Sequence, residues 1–306
     1  MQEQTEKQNI KISVRNLVEF IFRSGDIDNR VGKGVQKEAM QEGSRMHRKI
    51  QGRMGIEYRA EVPLKLEVPQ EQYVLSLEGR ADGIITNAEG VTIDEIKCMY
   101  TDVTRFEEPI FVHKAQAMCY AYIYALQNDL EQISVQMTYC DLDTEEIRRF
   151  QESFSFSWLK KWFLDMIEAY RKWTDFQFAW RKIRQTSIQT LEFPFPYRDG
   201  QRKLVGDVYR TINRKKILFI QAPTGTGKTI STLFPAIRAI GENLGDKIFY
   251  LTAKTITRTV AKDTCDLLKK HGYRGKVIVL TAKEKMGPCA EMDCNPSNCP
   301  RAKGHY

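Results

Sequence analysis

The sequence predicts an α/β protein of two domains, the first over residues 1–190 and the second over residues 191–306. Strand-like and helix-like patterns alternate along both halves, and the stretch LEFPFPYRDG, which has no helical period, begins at residue 191. The second half also contains APTGTGKT, residues 222–229, between an apolar run and a helical pattern. This alternation predicts a parallel sheet in the second domain.

The composition is that of an ordinary soluble protein, and its positive net charge favours polyanionic partners. Hydrophobic residues make up 42% and charged residues 28% of the chain, which is typical of globular domains. The net charge of +8 favours partners such as nucleic acid. No signal peptide and no membrane-spanning stretch is apparent, so we expect a cytoplasmic protein whose seven cysteines stay reduced.

In the first domain, residues 1–11 are polar and predict a disordered tail. Ser13 is a favourable N-cap residue, and Leu17, Val18, Phe20 and Ile21 follow it with helical spacing. The same patterns predict helices over 13–22, 35–52, 112–127 and within 156–183, and strands over 57–68, 72–86, 91–97 and 132–140. Asn87 and Gly90 predict a turn between two of these strands.

In the second domain, each short apolar run is separated from the next by a helical pattern. The patterns predict helices over 200–213, 228–240 and 257–271, and strands over 217–222, 247–253 and 276–282.

The stretch APTGTGKT fits a phosphate-binding loop except at its first position, where alanine replaces glycine. Gly225 and Gly227 allow the backbone to turn its N–H groups inward, Lys228 reaches the β and γ phosphates, and Thr229 helps to hold Mg²⁺. The predicted ATP-binding residues are therefore Ala222, Pro223, Thr224, Gly225, Thr226, Gly227, Lys228 and Thr229.

Residues 196–229 resemble the start of superfamily 2 helicases of the XPD/DinG type, which implies a RecA-like P-loop domain and an ATP-dependent 5′–3′ DNA helicase. Gln201 stands where those helicases carry an adenine-contacting glutamine. Residues 248–263 resemble the next helicase motif, which touches the DNA backbone, and this implies that Thr252, Lys254 and Arg258 lie toward DNA. The motor is expected to be truncated, because no D-E-x-H string follows.

Cys289, Cys294 and Cys299 form a cluster separated by proline and asparagine, which predicts a loop. From the residues alone, zinc, an iron–sulfur cluster and no metal all stay open. The resemblance to XPD/DinG helicases implies a [4Fe–4S] insertion, with a fourth thiolate expected beyond Tyr306.

Three charged residues in the first domain are predicted to share one face of neighbouring strands. Asp82 ends one strand, and Glu95 and Lys97, two positions apart, end the next. Such oxygen ligands select Mg²⁺ or Mn²⁺, although a solvated hairpin face has the same pattern. His47 lies upstream, and Gln116 and Tyr120 are spaced to share one face of the following helix.

In order and spacing, this set resembles the RecB-like branch of the PD-(D/E)XK nucleases. The resemblance implies that a metal is bound by the side chains of His47, Asp82 and Glu95 and the carbonyl of Ile96. It further implies that Lys97 assists the attacking water and that Gln116 and Tyr120 position the DNA. Glu61 is expected to add a contact to the metal site.

Together these patterns predict a nuclease–helicase of DNA repair or processing that acts on single-stranded or forked DNA with ATP, Mg²⁺ or Mn²⁺ and a [4Fe–4S] cluster. Three alternatives stay open. The first domain is a non-cleaving DNA clamp, the chain is a non-catalytic fragment, or it is a small-molecule phosphotransferase. The aromatic and basic residues within 156–183 fit helix packing or stacking on single-stranded nucleic acid.

Overall fold

The computed structural model describes residues 7–27, 36–223, 225–253, 255–281 and 295–305, and it confirms an α/β protein. It divides into a first unit, Met1–Thr174 with Gly287–Tyr306, and a second unit, Asp175–Met286. The described helices are α1 (Val14–Phe22), α2 (Gln36–Gln51), α3 (Phe111–Gln127), α4 (Phe156–Gln189), α5 (Gln201–Asn213), α6 (Lys228–Gly241) and α7 (Thr255–Lys270). The strands are β1 (Gln8–Ser13), β2 (Tyr58–Pro69), β3 (Tyr73–Asn87), β4 (Gly90–Met99), β5 (Gln132–Asp141) and β6 (Ile147–Ser155).

The six strands form one mixed sheet in the first unit, in the order β1-β3-β4-β5-β6 with β2 also paired to β3. β1 is parallel to β3 and β4 is parallel to β5, whereas the other pairs are antiparallel. The sheet is therefore mixed, with helices packed on it as in other α/β folds.

The long strand β3 changes partner along one of its edges. β2 occupies one edge from Val74 to Ile85, so β1 and β4 share the other edge. There β1 pairs with residues 73–78 and β4 pairs with residues 83–87. Within the described ranges, no strand pairs with residues 79–82 on that edge, and β4 continues beyond this point paired to β5 alone. We call the opening between β3 and β4 at this point the fork.

Helices cover the sheet through apolar side chains that the sequence spaces correctly. Helix α1 begins after Ser13, whose hydroxyl accepts a hydrogen bond from the Asn16 N–H, and it buries Leu17 and Val18. Helix α3 is buried along most of its length and packs against β4 and β5. Helix α2 packs through Met46 and Ile50 against Ile96. Three separate helices thus approach the region of the fork.

Two strands differ from the expectations for the first domain. Residues 8–11 belong to β1, so the prediction of a disordered tail is wrong there. The alternating sequence NIKIS pairs with β3 and so becomes part of the sheet. The sequence also failed to predict β6, because its polar residues conceal an edge strand that is paired on one side only.

In the second unit the three predicted helices are confirmed as α5, α6 and α7, but the three predicted strands are wrong. Residues 217–222, 247–253 and 276–281 form no strand in the described part of the chain. Exposure alternates along the first of them, with Ile217 at 85%, Leu218 at 38% and Phe219 at 93%. A parallel ladder is stable when both of its faces are covered, whereas nearly all side chains of these three runs are exposed.

No described helix combines the length and apolar character needed to cross a membrane.

Candidate active site and phosphate loop

Asp82 lies at the fork and joins its two strands. Its Oδ2 accepts a hydrogen bond from the Ile96 N–H of β4 at 2.7 Å. At this position β4 has already separated from β3, so no β3 carbonyl accepts a hydrogen bond from the Ile96 N–H. The Asp82 carboxylate accepts it instead. The sheet topology therefore holds Asp82 beside the end of β4.

A chain of polar side chains links β4 to α3. Lys97 Nζ donates to Glu95 Oε1 at 2.7 Å and to Gln116 Oε1 at 3.3 Å. Gln116 Nε2 in turn lies 3.4 Å from the Tyr120 hydroxyl. The alternation of β4 puts Glu95 and Lys97 on one face, as the sequence predicts, and α3 supplies the other two groups.

Gly79 in β3 is required for the position of Tyr120. A Cβ at this residue would lie 2.6 Å from the Tyr120 hydroxyl and 2.7 Å from its ring. The Tyr120 side chain is buried against this strand. The glycine of the G-x-x-D pattern therefore provides space for an aromatic ring.

His47 and Glu61 are both near Asp82 but are held differently. His47 Nδ1 lies 3.9 Å from Asp82 Oδ1. Glu61, which has a positive φ of 57°, pairs with Arg80 at 2.6 Å. Gln51 bridges the two regions, because its Nε2 donates to Glu61 Oε1 and to the Asp82 carbonyl. Glu61 therefore contacts the edge of the site rather than its centre.

Burial dominates the electrostatics of the two carboxylates. Glu95 is 1% exposed, and removal from water raises its pKa to about 8, with Lys97 opposing and Asp82 reinforcing the rise. Burial also raises the pKa of Asp82, against the lowering effects of His47 and the Ile96 N–H. A nearby cation would favour the charged form of both groups.

These side chains face a cavity of about 330 Å³. Three charged or titratable residues that line it were not predicted from the sequence: Arg15, Glu19 and His113. Burial lowers the pKa of His113 to about 4, and Lys97 and Arg15 add to the effect. No local pattern marks them, because α1 and the start of α3 reach the fork only through the tertiary fold.

One atom of the site fits a cation. Glu95 Oε2 is buried and has no hydrogen-bond partner among the described residues, although buried carboxylate oxygens are normally satisfied. No group of three or more His, Cys, Asp or Glu side chains in the described ranges is arranged as a metal site. Mg²⁺ is commonly held by one or two carboxylates and several waters, so Asp82 and Glu95 match its needs.

The phosphate loop has the expected left-handed glycines, Gly225 with φ 80° and Gly227 with φ 72°, the latter preceding α6. Lys228 Nζ donates to the carbonyls of Ala222 at 2.8 Å and Pro223 at 2.5 Å. The lysine therefore folds back onto its own loop.

Two upstream residues also contact the loop. Gln201 Nε2 lies 3.5 Å from the Thr226 carbonyl, and Arg198 donates to the Gly225 carbonyl. The Thr226 hydroxyl donates to the Pro223 carbonyl at 2.9 Å. The structure thus brings the predicted Gln201 to the loop, and it adds Arg198, which the sequence analysis did not identify. Thr229 is the second residue of α6 and lies in its first turn.

Several predicted residues lie outside the described ranges, namely Thr224, Lys254, Cys289 and Cys294. Cys299 is half-buried in a segment of the first unit, where the Ala302 carbonyl accepts from the Ile27 N–H at 2.8 Å. Arg258 donates to the Thr281 hydroxyl at 3.2 Å, and Thr252 is half-buried. The iron–sulfur and DNA-contact roles of these residues stay predictions.

Comparison with known proteins gives partial similarities of sequence and of structure. The chain is 40% identical over 47 residues to the probable ATP-dependent helicase MJ0942 of Methanocaldococcus jannaschii, which is 15% of this chain and 7% of the helicase. It thus spans a small part of that relative's length. The solved structure of SSO0001 aligns with 52% of this chain and 75% of its own, at 18% identity and a TM-score of 0.34. No family model matches the chain.

Proposed function

We propose that the chain is part of a nuclease–helicase, in which the first unit hydrolyses DNA phosphodiester bonds with Mg²⁺ or Mn²⁺ and the second unit binds ATP. The observation that carries the nuclease is the buried Glu95 Oε2, which has no hydrogen-bond partner among the described residues and lies beside Asp82 and Lys97. Three ionisable groups assembled at a cavity are costly to bury and characteristic of active sites. The proposed setting is DNA repair or processing.

In the proposed site, Asp82, Glu95 and the Ile96 carbonyl hold the cation, with His47 beside Asp82. The bound metal supplies a Lewis acid that polarises the phosphodiester and lowers the pKa of water. Lys97, anchored by Glu95 and Gln116, holds a positive charge where negative charge develops on the phosphate. Gln116 and Tyr120 orient Lys97 and the DNA strand, and the wall of the cavity limits access by bulk water.

The helicase part of the proposal is supported by the phosphate loop and by the partial similarity to an ATP-dependent helicase. Lys228 leaves the carbonyls of Ala222 and Pro223 and turns to the phosphates when ATP binds. We propose a [4Fe–4S] cluster at Cys289, Cys294 and Cys299 only as an extension of the helicase resemblance. An iron determination of protein purified without oxygen tests it.

The decisive experiment measures cleavage of labelled single-stranded and duplex DNA with Mg²⁺, with Mn²⁺ and with EDTA. We expect cleavage that needs metal and that falls about 100-fold or more in Asp82→Ala and in Lys97→Ala. Matched controls are Glu78→Ala and Lys65→Ala, which remove exposed, salt-bridged charges from β3 and β2. We expect both controls to cleave as the wild type does.

The main alternative is a clamp that binds DNA without cutting it. Metal-bound, folded protein that binds both DNA forms yet leaves them intact would establish the clamp and reject the nuclease. For the second unit, binding of a fluorescent ATP analogue should be lost in Lys228→Ala and retained in Lys262→Ala, an exposed lysine of α7 paired with Asp266.

A further inference from the structure

Six aromatic side chains from three helices gather on the first unit. Phe22 of α1 stacks on Trp162 of α4 at 5.8 Å and meets Phe111 of α3 edge-on at 5.2 Å. Phe20 meets Tyr170 at 5.5 Å and Trp173 at 5.3 Å, again edge-on. We call this set the aromatic surface: Phe20, Phe22, Phe111, Trp162, Tyr170 and Trp173.

Three of these rings are half open to solvent. Phe20 is 51% exposed, Phe111 is 50% exposed and Trp173 is 47% exposed. Scattered exposed aromatics are common, but these rings touch in two groups, Phe22 with Phe111 and Trp162, and Phe20 with Tyr170 and Trp173, and grouped exposed apolar side chains mark binding sites. The aromatic surface therefore calls for a ligand with flat apolar faces.

The aromatic surface continues directly from the cavity of the candidate active site. On α1, Arg15, Glu19 and Phe22 follow at positions i, i+4 and i+7, so they share one helix face. Arg15 and Glu19 line the cavity, and Phe22 extends the same face outward. On α3, Phe111 immediately precedes Val112 and His113, which also line the cavity.

One cationic side chain lies against these rings, and others are exposed on the same helices or on the adjoining segment. Lys172 Nζ lies 5.5 Å from the centre of the Trp173 ring, and Lys161 is exposed next to Trp162. The segment that carries the exposed Arg301 and Lys303 is hydrogen-bonded to Asp26 and Ile27, just after α1.

Acidic groups on the same helices are mostly paired with cations. Glu19 pairs with Arg15 at 2.8 Å, and Glu168 pairs with Arg171 at 3.0 Å. Asp165 is exposed. The balance around the aromatic surface is therefore positive and suits a polyanion.

We propose that the aromatic surface stacks the bases of a single-stranded DNA whose backbone enters the cavity. This inference rests on the proposed nuclease function, because it names the form of DNA that this site receives. Bases in a single strand expose their faces, whereas bases in a duplex are already stacked. Aromatic rings flanked by cations are the usual combination for binding single strands without sequence preference.

The test measures binding of a labelled oligothymidylate of about 15 nucleotides in EDTA, where no cleavage occurs. We expect the double variant Phe111→Leu with Trp173→Leu to bind about 10- to 100-fold more weakly, because leucine keeps apolar area but has no aromatic face. Phe111→Tyr with Trp173→Phe should bind as the wild type does. Phe195→Leu, a similarly exposed aromatic of the second unit, is the control.

Equal DNA binding by the leucine variant and the wild type would overturn the inference. It would also be overturned if the wild type bound anionic phospholipid vesicles and the leucine variant alone lost this binding. Circular dichroism establishes that each variant is folded. The inference and the nuclease proposal fail separately. Aromatic-dependent binding with no cleavage would reject only the nuclease, whereas metal-dependent cleavage with aromatic-independent binding would reject only the stacking surface.

Discussion

The first unit buries two adjacent carboxylates, whereas the second unit exposes the side chains that a protein normally buries. Asp94 and Glu95 are 0% and 1% exposed in β4, while Phe219 is 93% exposed. Asp94 is satisfied by Thr138 at 2.6 Å, Gln136 at 3.0 Å and Tyr58 at 3.2 Å. Glu95 keeps one oxygen without a partner among the described residues.

This difference separates two kinds of motif. The phosphate loop is local, so Gly225, Gly227 and α6 adopt their expected conformations even though the neighbouring apolar runs form no strand. The carboxylate site is non-local, because Asp82, Glu95 and Gln116 meet only when β3, β4 and α3 are assembled. The site therefore depends on the tertiary fold of the first unit, and the two units are expected to respond differently to mutation.

The largest expected contrast is in stability. Leu77→Ala removes a fully buried side chain from β3 and should cost about 2–5 kcal/mol, whereas Phe219→Ala should change stability by less than about 0.5 kcal/mol. Hydrogen exchange read by mass spectrometry reports the two units separately. A comparable loss in both variants would show that the apolar runs are packed in solution, and the contrast would disappear.

A second prediction concerns metal and Glu95. Mn²⁺ at about 100 times its Kd should stabilise the first unit by about 2.7 kcal/mol, and Glu95→Gln should remove this gain because its amide replaces a ligand oxygen with a donor group. Thermal unfolding with and without Mn²⁺ measures it. Glu78→Gln, an exposed position of β3, should retain the stabilisation by Mn²⁺. If Glu95→Gln also retained it, Glu95 would not be a metal ligand.

A third prediction concerns the space beneath Tyr120. Gly79→Ala should destabilise the first unit by about 1–3 kcal/mol and displace Tyr120 from Gln116, because the new methyl would occupy the space of the ring. Gly43→Ala is the opposite control. It lies in α2 with nothing near its Cβ position, so it should stabilise by about 0.5–1 kcal/mol. Denaturant midpoints measure both, and a neutral Gly79→Ala would mean that Tyr120 is mobile.

The smallest expected effect is the pH dependence from His113. Its pKa is lowered to about 4, so its contribution to stability is present above the unfolded pKa of about 6.5 and is lost as the pH falls toward 4. Between pH 7 and pH 5 the loss should be about 1 kcal/mol, discounted for partial exposure. His113→Gln should remove this contribution, read as the difference in unfolding free energy between wild type and variant at each pH, because the raised pKa of Glu95 gives a pH dependence of opposite sign that both proteins share. A difference that does not change with pH would mean that His113 is hydrated in solution.

The sequence predicted most of the first unit, because its alternating strands and amphipathic helices are local patterns. It failed at residues 8–11 and at β6, where polar residues form strands only because a neighbour supplies hydrogen bonds. It failed more widely in the second unit, since an apolar run predicts burial but does not provide a partner strand.

The candidate site divides in the same way. The spacing of Glu95 and Lys97 on one strand, and of Gln116 and Tyr120 on one helix, predicted pairs that the structure brings together. The bond from the Ile96 N–H to Asp82, and the approach of Arg15 and His113, depend on topology that no local pattern encodes. The chemical roles of all these residues stay predictions.

The fork between β3 and β4 has a consequence for folding fidelity. Side chains alternate between the faces of a strand, so moving β4 by one residue along β3 would send Glu95 and Lys97 to the opposite side of the sheet. The same shift would offer Asp82 a different backbone N–H in place of that of Ile96. Misaligned molecules would keep their secondary structure yet lose the hydrogen bond from the Ile96 N–H to Asp82, so hydrogen-exchange protection of that amide would report the fraction of folded molecules with the correct strand alignment.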